Sequence, residues 1–197
     1  MKLLFLDVET TGIPCPDSGL IQLSGIIEVN GEPRETFDFR IKPFPGDIVS
    51  DEALAVNGVT REELAGYPEP EAVFETFVKL LGQYVDPFDR TDKFHLVAYN
   101  APFDVQHLRT WFEKNGDQYF GSWFWHPAVD VMGLAVVVLM DRRAAMKDFK
   151  LATVAEAMGL HVDDSQVHDA AYDVELTRRL FLRITQQAGI PYPQGSP

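Results

Sequence analysis

Near its N-terminus the chain reads Leu3-Leu4-Phe5-Leu6-Asp7-Val8-Glu9-Thr10-Thr11-Gly12. A continuous apolar run ending in carboxylates reads as a strand covered on both faces, with a polar site at its C-terminal end. Residues two apart on a strand leave the same face, so Asp7 and Glu9 emerge side by side with Cα atoms roughly 6.6–6.8 Å apart. At an effective dielectric of about 20 they repel by about 2–3 kcal/mol. Such a pair needs water, a shared proton or a cation. Taken alone, an Asp-x-Glu at a strand end also fits a solvated loop entrance.

Outward from that strand, residues 20–29 and 36–41 are further strand candidates, joined around Asn30-Gly31, the dipeptide of a tight type I′ hairpin. The first three strands are expected to form an antiparallel meander. Pro43, Pro45 and Gly46 break the pattern, and residues 51–64 read as short helical pieces around Asn57-Gly58. Between 70 and 85, apolar residues at 73, 74, 77, 80, 81 and 84 mark one helical face. Residues 94–99 read as another strand, which Asn100-Ala101-Pro102 turns into a helix with Phe103, Leu108, Trp111 and Phe112 on its face. A short strand near 128–131 and helices at about 132–145, 150–158 and 170–187 complete the chain. The expected fold is one α/β domain, residues 1–188, built on a mixed sheet, with 189–197 as a loose tail.

Composition narrows the function. The 197 residues carry 17 Lys and Arg against 30 Asp and Glu, a net charge of −13, which argues against a general polyanion-binding surface. Contact with nucleic acid must then be local. The single cysteine, Cys15, makes neither an internal disulfide nor a cysteine-rich zinc site. Residues 1–6 begin as a signal peptide does, but the apolar run stops at Asp7, short of the roughly 7–15 residues required. The apolar stretch 131–140 is about half a membrane span. The expectation is a soluble, cytoplasmic protein with no membrane contact.

Two more elements repeat the pattern of polar residues at the mouth of an apolar element. Asn100-Ala101-Pro102-Phe103-Asp104 lies just beyond the 94–99 strand, where ligands of open α/β sheets bind. Asp104 there can face Asp7, or it can simply favour the first turn of its own helix. His168-Asp169-Ala170-Ala171-Tyr172-Asp173 enters the last helix. His168 and Asp173 share a site only if His168 precedes the helix, so the helix is expected to begin with Asp169 as its N-cap. Alone, His168 also fits an ordinary surface histidine.

Taken together and in this order, Asp7-x-Glu9 with Thr10-Thr11-Gly12, Asn100-x-x-Phe103-Asp104 and His168-x-Ala170-x-x-Asp173 resemble the DEDD superfamily of 3′-to-5′ exonucleases, the DnaQ-like enzymes. The resemblance runs from about residue 3 to 182 and includes Ala55-Val56-Asn57-Gly58-Val59-Thr60. A His five positions before the last Asp, with Asp169 where the tyrosine subgroup has Tyr, matches the histidine subgroup. The resemblance implies an RNase H-like fold, a mixed five-stranded sheet flanked by helices. It implies that Asp7, Glu9, Asp104 and Asp173 hold two divalent metals and that His168 is the general base. It places Thr10, Thr11 and Asn100 beside the substrate. Oxygen ligands without cysteine suit Mg²⁺ or Mn²⁺, and four carboxylates suit two ions roughly 3.5–4 Å apart.

The expected activity is release of nucleoside 5′-monophosphates from single-stranded 3′ ends, of DNA first and of RNA as the alternative. A non-catalytic nuclease-like module that binds a protein is the reading from another class. A polymerase or other protein partner fits the acidic balance. Arg143, Lys147 and Lys150 would share one face that could track phosphates if that segment stayed helical, though a solvated surface face is the first reading. Trp111, Phe112, Tyr119, Phe120, Trp123, Phe124 and Trp125 read first as core and next as an interface, which leaves a homodimer open. His95, His107, His126 and His161 read as structural or surface residues.

Overall fold

The structure is a computed structural model and describes residues 1–163, 166 and 169–193. Its sheet contains β1 (Lys2–Thr10), β2 (Leu20–Val29), β3 (Glu32–Arg40), β4 (His95–Ala98) and β5 (Val129–Asp130), in the spatial order β3-β2-β1-β4-β5. The first three strands form the expected antiparallel meander, whereas β4 and β5 run parallel to β1. Asn30 and Gly31 both adopt positive φ, 55° and 85°, the conformation a type I′ turn demands. Pairing therefore starts at once with Glu32 opposite Val29. β3 begins four residues before the expected 36 because its first half is polar and exposed on a sheet edge, where no apolar alternation marks a strand.

Helices cover both faces. On one, Leu4, Leu6 and Val8 pack with Phe77 of α3 (Pro70–Leu81) and Leu108 and Phe112 of α4 (Ala101–Lys114). On the other, Leu3 and Phe5 meet Val131 of α6 (Val131–Val138), Val154 of α7 (Leu151–Ala157) and Leu180, Phe181 and Ile184 of α8 (Ala170–Gln187). This two-sided burial explains the unbroken apolar run of β1. The short helices α1 (Asp51–Val56) and α2 (Arg61–Ala65) close over Ile21, each started by a side-chain cap from Ser50 and Thr60. α5 (Phe120–Trp123) adds to the first core.

The long helix expected over 132–145 is corrected: α6 stops at Val138. Leu139 is the last buried residue, and Met140 to Ala145 are all exposed. A helix without an apolar face to dock gains little from continuing. Arg143 thus lies in a separate 3-10 turn over the Phe149 ring, and Lys150 caps α7. The shared basic face of Arg143, Lys147 and Lys150 does not form.

Of the aromatics between 111 and 125, Trp111, Phe112, Phe120, Trp123 and Phe124 are buried in the core, whereas Tyr119 is 73% exposed. The segment therefore offers no continuous aromatic face. Beyond α8, Tyr192 packs edge-on against Phe181 and its hydroxyl donates to Glu28. Residues 194–197 lie outside the described residues. Among the described residues, no helix is long and apolar enough to cross a membrane.

Candidate active site

Asp7 and Glu9 continue the face of β1 that carries Leu3 and Phe5, the face on which α8 lies. Phe181 meets Phe5 edge-on at 5.6 Å, and the buried Glu28 accepts from Arg178 Nε at 2.8 Å. These contacts lay the later turns of α8 against the start of β1, so its first turn, with Asp173, reaches the Asp7 and Glu9 end. Asp169 is the N-cap as expected, accepting from the amides of Ala171 and Tyr172 at 3.0 and 3.2 Å.

Asp104 arrives from the opposite side of the strand. β1 pairs with β4 only through Phe5 opposite Val97, so the amide of Val8 extends past the last rung. The buried Asp104, in the first turn of α4, accepts that N–H at 3.2 Å. Its position depends in turn on Asp130, whose Oδ1 accepts from the amides of Asn100 and Ala101 at 3.0 and 3.3 Å while the same carboxylate caps α6. Asp130 is a positioning residue that the sequence reading passed over. Its signal was an acidic residue directly before an apolar helical run.

The carboxylates act on one another. Burial raises the Asp7 pKa well above the ordinary value, and the charges of Asp104, Glu9, Asp173 and Asp169 add to the rise. Glu9 is pushed up to about 7, by burial first and then by Asp173, with Arg40 opposing. Asp104 is also raised by burial, against the lowering effect of the Val8 amide, and Glu9 and Asp130 raise it further. Removing carboxylates from water disfavours their ionised form, and a nearby cation reverses that preference. Among the described residues, no three His, Cys, Asp or Glu side chains stand close enough together to hold a metal ion by themselves. Mg²⁺ does not require one, since one or two carboxylates complete its shell with waters and substrate phosphate. The donor set, all carboxylate oxygen, fits such an ion.

Beside Glu9 opens a cleft of about 640 Å³, walled by Thr11, Ile13, Ile48, Val56 and Phe103. Ile13 is 79% exposed at its rim, an apolar side chain left without protein cover. Sequence reading did not foresee this cleft, because its wall is assembled from three distant segments. Thr10 and Thr11 lie at its floor, where the register of β1 shifts between Glu9 and Thr10. The Thr11 hydroxyl donates to Ile48 O at 2.6 Å and accepts from Gly19 N at 2.8 Å, while Thr10 Oγ1 donates to Gly12 O at 2.8 Å. Both hydroxyls thus make ordinary strand-end hydrogen bonds to the backbone. Asn100 caps α4 in a left-handed conformation, φ 66° and ψ 46°, without a side-chain cap bond. His168 lies outside the described residues. His107 is buried with its ring 4.6 Å from Phe103, His95 stacks on Trp125 at 6.2 Å, and His126 and His161 are exposed.

A family profile described as Exonuclease matches residues 4–181, nearly the whole sheet-and-helix unit that carries these groups. The chain belongs to this exonuclease family. Ribonuclease T of Klebsiella pneumoniae is 29% identical over 206 residues, covering 98% of this chain and 90% of that protein. The PolC-type DNA polymerase III of Halalkalibacterium halodurans is 28% identical over 187 residues, 95% of this chain, yet the exonuclease chain spans only 12% of that polymerase. In fold, the chain matches E. coli exonuclease I in complex with a dA16 oligonucleotide, with a TM-score of 0.73 and 20% identity over 94% of this chain and 41% of that one. The expected fold and the resemblance to DEDD exonucleases are thereby borne out.

Proposed function

We propose that this exonuclease hydrolyses the last phosphodiester bond at single-stranded 3′ ends and releases nucleoside 5′-monophosphates, acting on DNA in proofreading or repair. What carries the reading is the convergence of Asp7, Glu9, Asp104 and Asp173 at one end of the sheet, next to a cleft of nucleotide size. In this reading the four carboxylates would hold two Mg²⁺ or Mn²⁺, which would supply positive charge at the scissile phosphate and lower the pKa of a water. His168, expected just before α8, would take the proton of the attacking water as its oxygen bonds to phosphorus. The phosphorus to 3′-oxygen bond breaks, and the 3′ oxygen of the shortened strand takes a proton from solvent to leave as a hydroxyl. The cleft takes the terminal nucleoside against Phe103 and Ile13, with Thr10 and Thr11 at its floor, while Asn100, which does not line the cleft, contacts the substrate from the start of α4.

RNA trimming is the second reading, favoured by similarity along 90% of the length of a ribonuclease T. A net charge of −13 gives poor long-range attraction for a polyanion, so a protein partner that delivers ends is part of the proposal. The test offers single-stranded DNA, duplex DNA and short RNA with Mg²⁺ and ranks mononucleotide release. Single-stranded DNA is expected to lead. Full activity in Asp7→Asn would sink the reading, and calorimetry with Mn²⁺ that detects no binding would favour a non-catalytic module instead.

A further inference from the structure

Glu9, Gln22 and Arg40 stand in one row across β1, β2 and β3, Glu9 opposite Gln22 and Gln22 opposite Arg40. Residues directly opposed in antiparallel pairs share a face, and strands lie about 4.7–4.9 Å apart, so the Arg40 Cα is about 10 Å from that of Glu9 on the same side of the sheet. β1 and β3 both run antiparallel to β2, so Arg40 ends its strand at the same end of the sheet as Glu9.

The guanidinium is turned toward the site and held there. Arg40 Nη1 donates to Gln22 Oε1 at 2.8 Å, which brings the head group back over β2. Gln22 is buried, and its Nε2 donates to Asp38 Oδ1 at 2.7 Å, so the amide oxygen faces Arg40. Ser24 Oγ donates to the same Asp38 oxygen at 2.5 Å, and Asp38 Oδ2 lies 4.0 Å from Arg40 Nε. Gln22 and Asp38 thus orient the head group, while the Arg40 side chain remains 38% exposed. A guanidinium has five N–H donors in a planar fork, a geometry that matches phosphate. Its charge already reaches Glu9. In a chain this acidic, an oriented cation beside the carboxylate cluster is well placed to receive a polyanion.

We infer that Arg40 is a substrate-binding residue that takes a phosphate adjacent to the scissile one, so that this exonuclease distinguishes a nucleic-acid strand from an isolated nucleotide ester. The inference rests on the proposed nuclease reading and deepens it.

The experiment compares the full chain and its Arg40→Gln and Arg40→Lys variants on two substrates with Mg²⁺. One is a single-stranded DNA hexamer. The other is the p-nitrophenyl ester of thymidine 5′-monophosphate, which has only the scissile phosphate. Arg40→Gln is expected to lose about tenfold more kcat/KM on the hexamer than on the ester, mainly through KM. The salt slope of log kcat/KM on the hexamer should shrink by about 0.7, the value for one phosphate contact on a single strand. Arg40→Lys should recover part of the loss. A hexamer whose phosphate next to the scissile one is an uncharged methylphosphonate should make the unmodified protein behave like Arg40→Gln, without any change to the chain. An equal loss on hexamer and ester, or no loss on either, overturns the inference. So does a weakened Mn²⁺ affinity in Arg40→Gln with no substrate difference, which would make Arg40 a partner of Glu9 alone. If the unmodified protein cleaves neither substrate, the nuclease reading falls and takes this one with it, a result unlike any of the others.

Discussion

The carboxylate of Asp104 accepts the backbone N–H of Val8 at 3.2 Å, so one group both completes the hydrogen bonding of the central strand and stands beside Asp7. Structure and chemistry are separable here. Asp104→Asn retains an oxygen for the Val8 amide and should be at least as stable as the unmodified protein without metal, yet it should lose metal-dependent turnover. Asp104→Leu leaves the buried amide unpaired and should cost about 1–3 kcal/mol. Urea denaturation with a mononucleotide-release assay reads both effects.

The crowded carboxylates give stability a defined pH dependence. Glu9 moves from an ordinary 4.5 up to about 7, with burial the main cause, and Asp7 and Asp104 are raised as well. A raised carboxyl makes the folded chain hold more protons than the unfolded one between the two pKa values. The Glu9 contribution to stability without metal should therefore fall as pH rises from about 4.5 to about 7, and Asp7 and Asp104 change stability in the same direction. Asp7→Asn should raise the melting temperature of the metal-free protein at pH 8. Mn²⁺ should stabilise the unmodified protein there, and Asp7→Asn much less. Calorimetric melting across pH, with and without Mn²⁺, checks the sign.

Asp130 ties the start of α4 to the start of α6. Asp130→Ala removes a helix cap and should destabilise by about 1–2 kcal/mol. Because α4 carries Asp104, turnover should fall further than stability explains. Comparing activity well below the melting transition separates the two.

The exposed Ile13 at the cleft rim makes a prediction of the opposite kind. Ile13→Ser should leave unfolding within about 0.5 kcal/mol, as surface changes do. It should raise KM for single-stranded ends by about fivefold, the effect of about 1 kcal/mol of lost apolar contact. Steady-state kinetics beside thermal melting decides it.

A chain of net charge −13 should dissociate from long strands between cuts. A trap experiment with excess unlabelled DNA should end digestion after few cleavages. Continued processive shortening would contradict the local-contact picture.

What depends on neighbours along the chain could be read from the residues alone. Period-two alternation put Asp7 and Glu9 on one side of β1, Asn30-Gly31 specified the hairpin, and Asp169 before an apolar helical pattern marked the start of α8. Each of these is set within a few residues by backbone geometry. Tertiary structure decided what depends on register and covering. The rung at which β1 and β4 part left the Val8 amide for Asp104, and the β2 and β3 registers lined Arg40 up with Glu9. The apolar spacing past Val138 suggested more helix, but no surface waits there to be covered, and the helix ends. Local patterns fix which way a side chain leaves its own element. Which distant group it then meets is set by how strands pair and helices dock, and that energy is spread over contacts no single stretch contains.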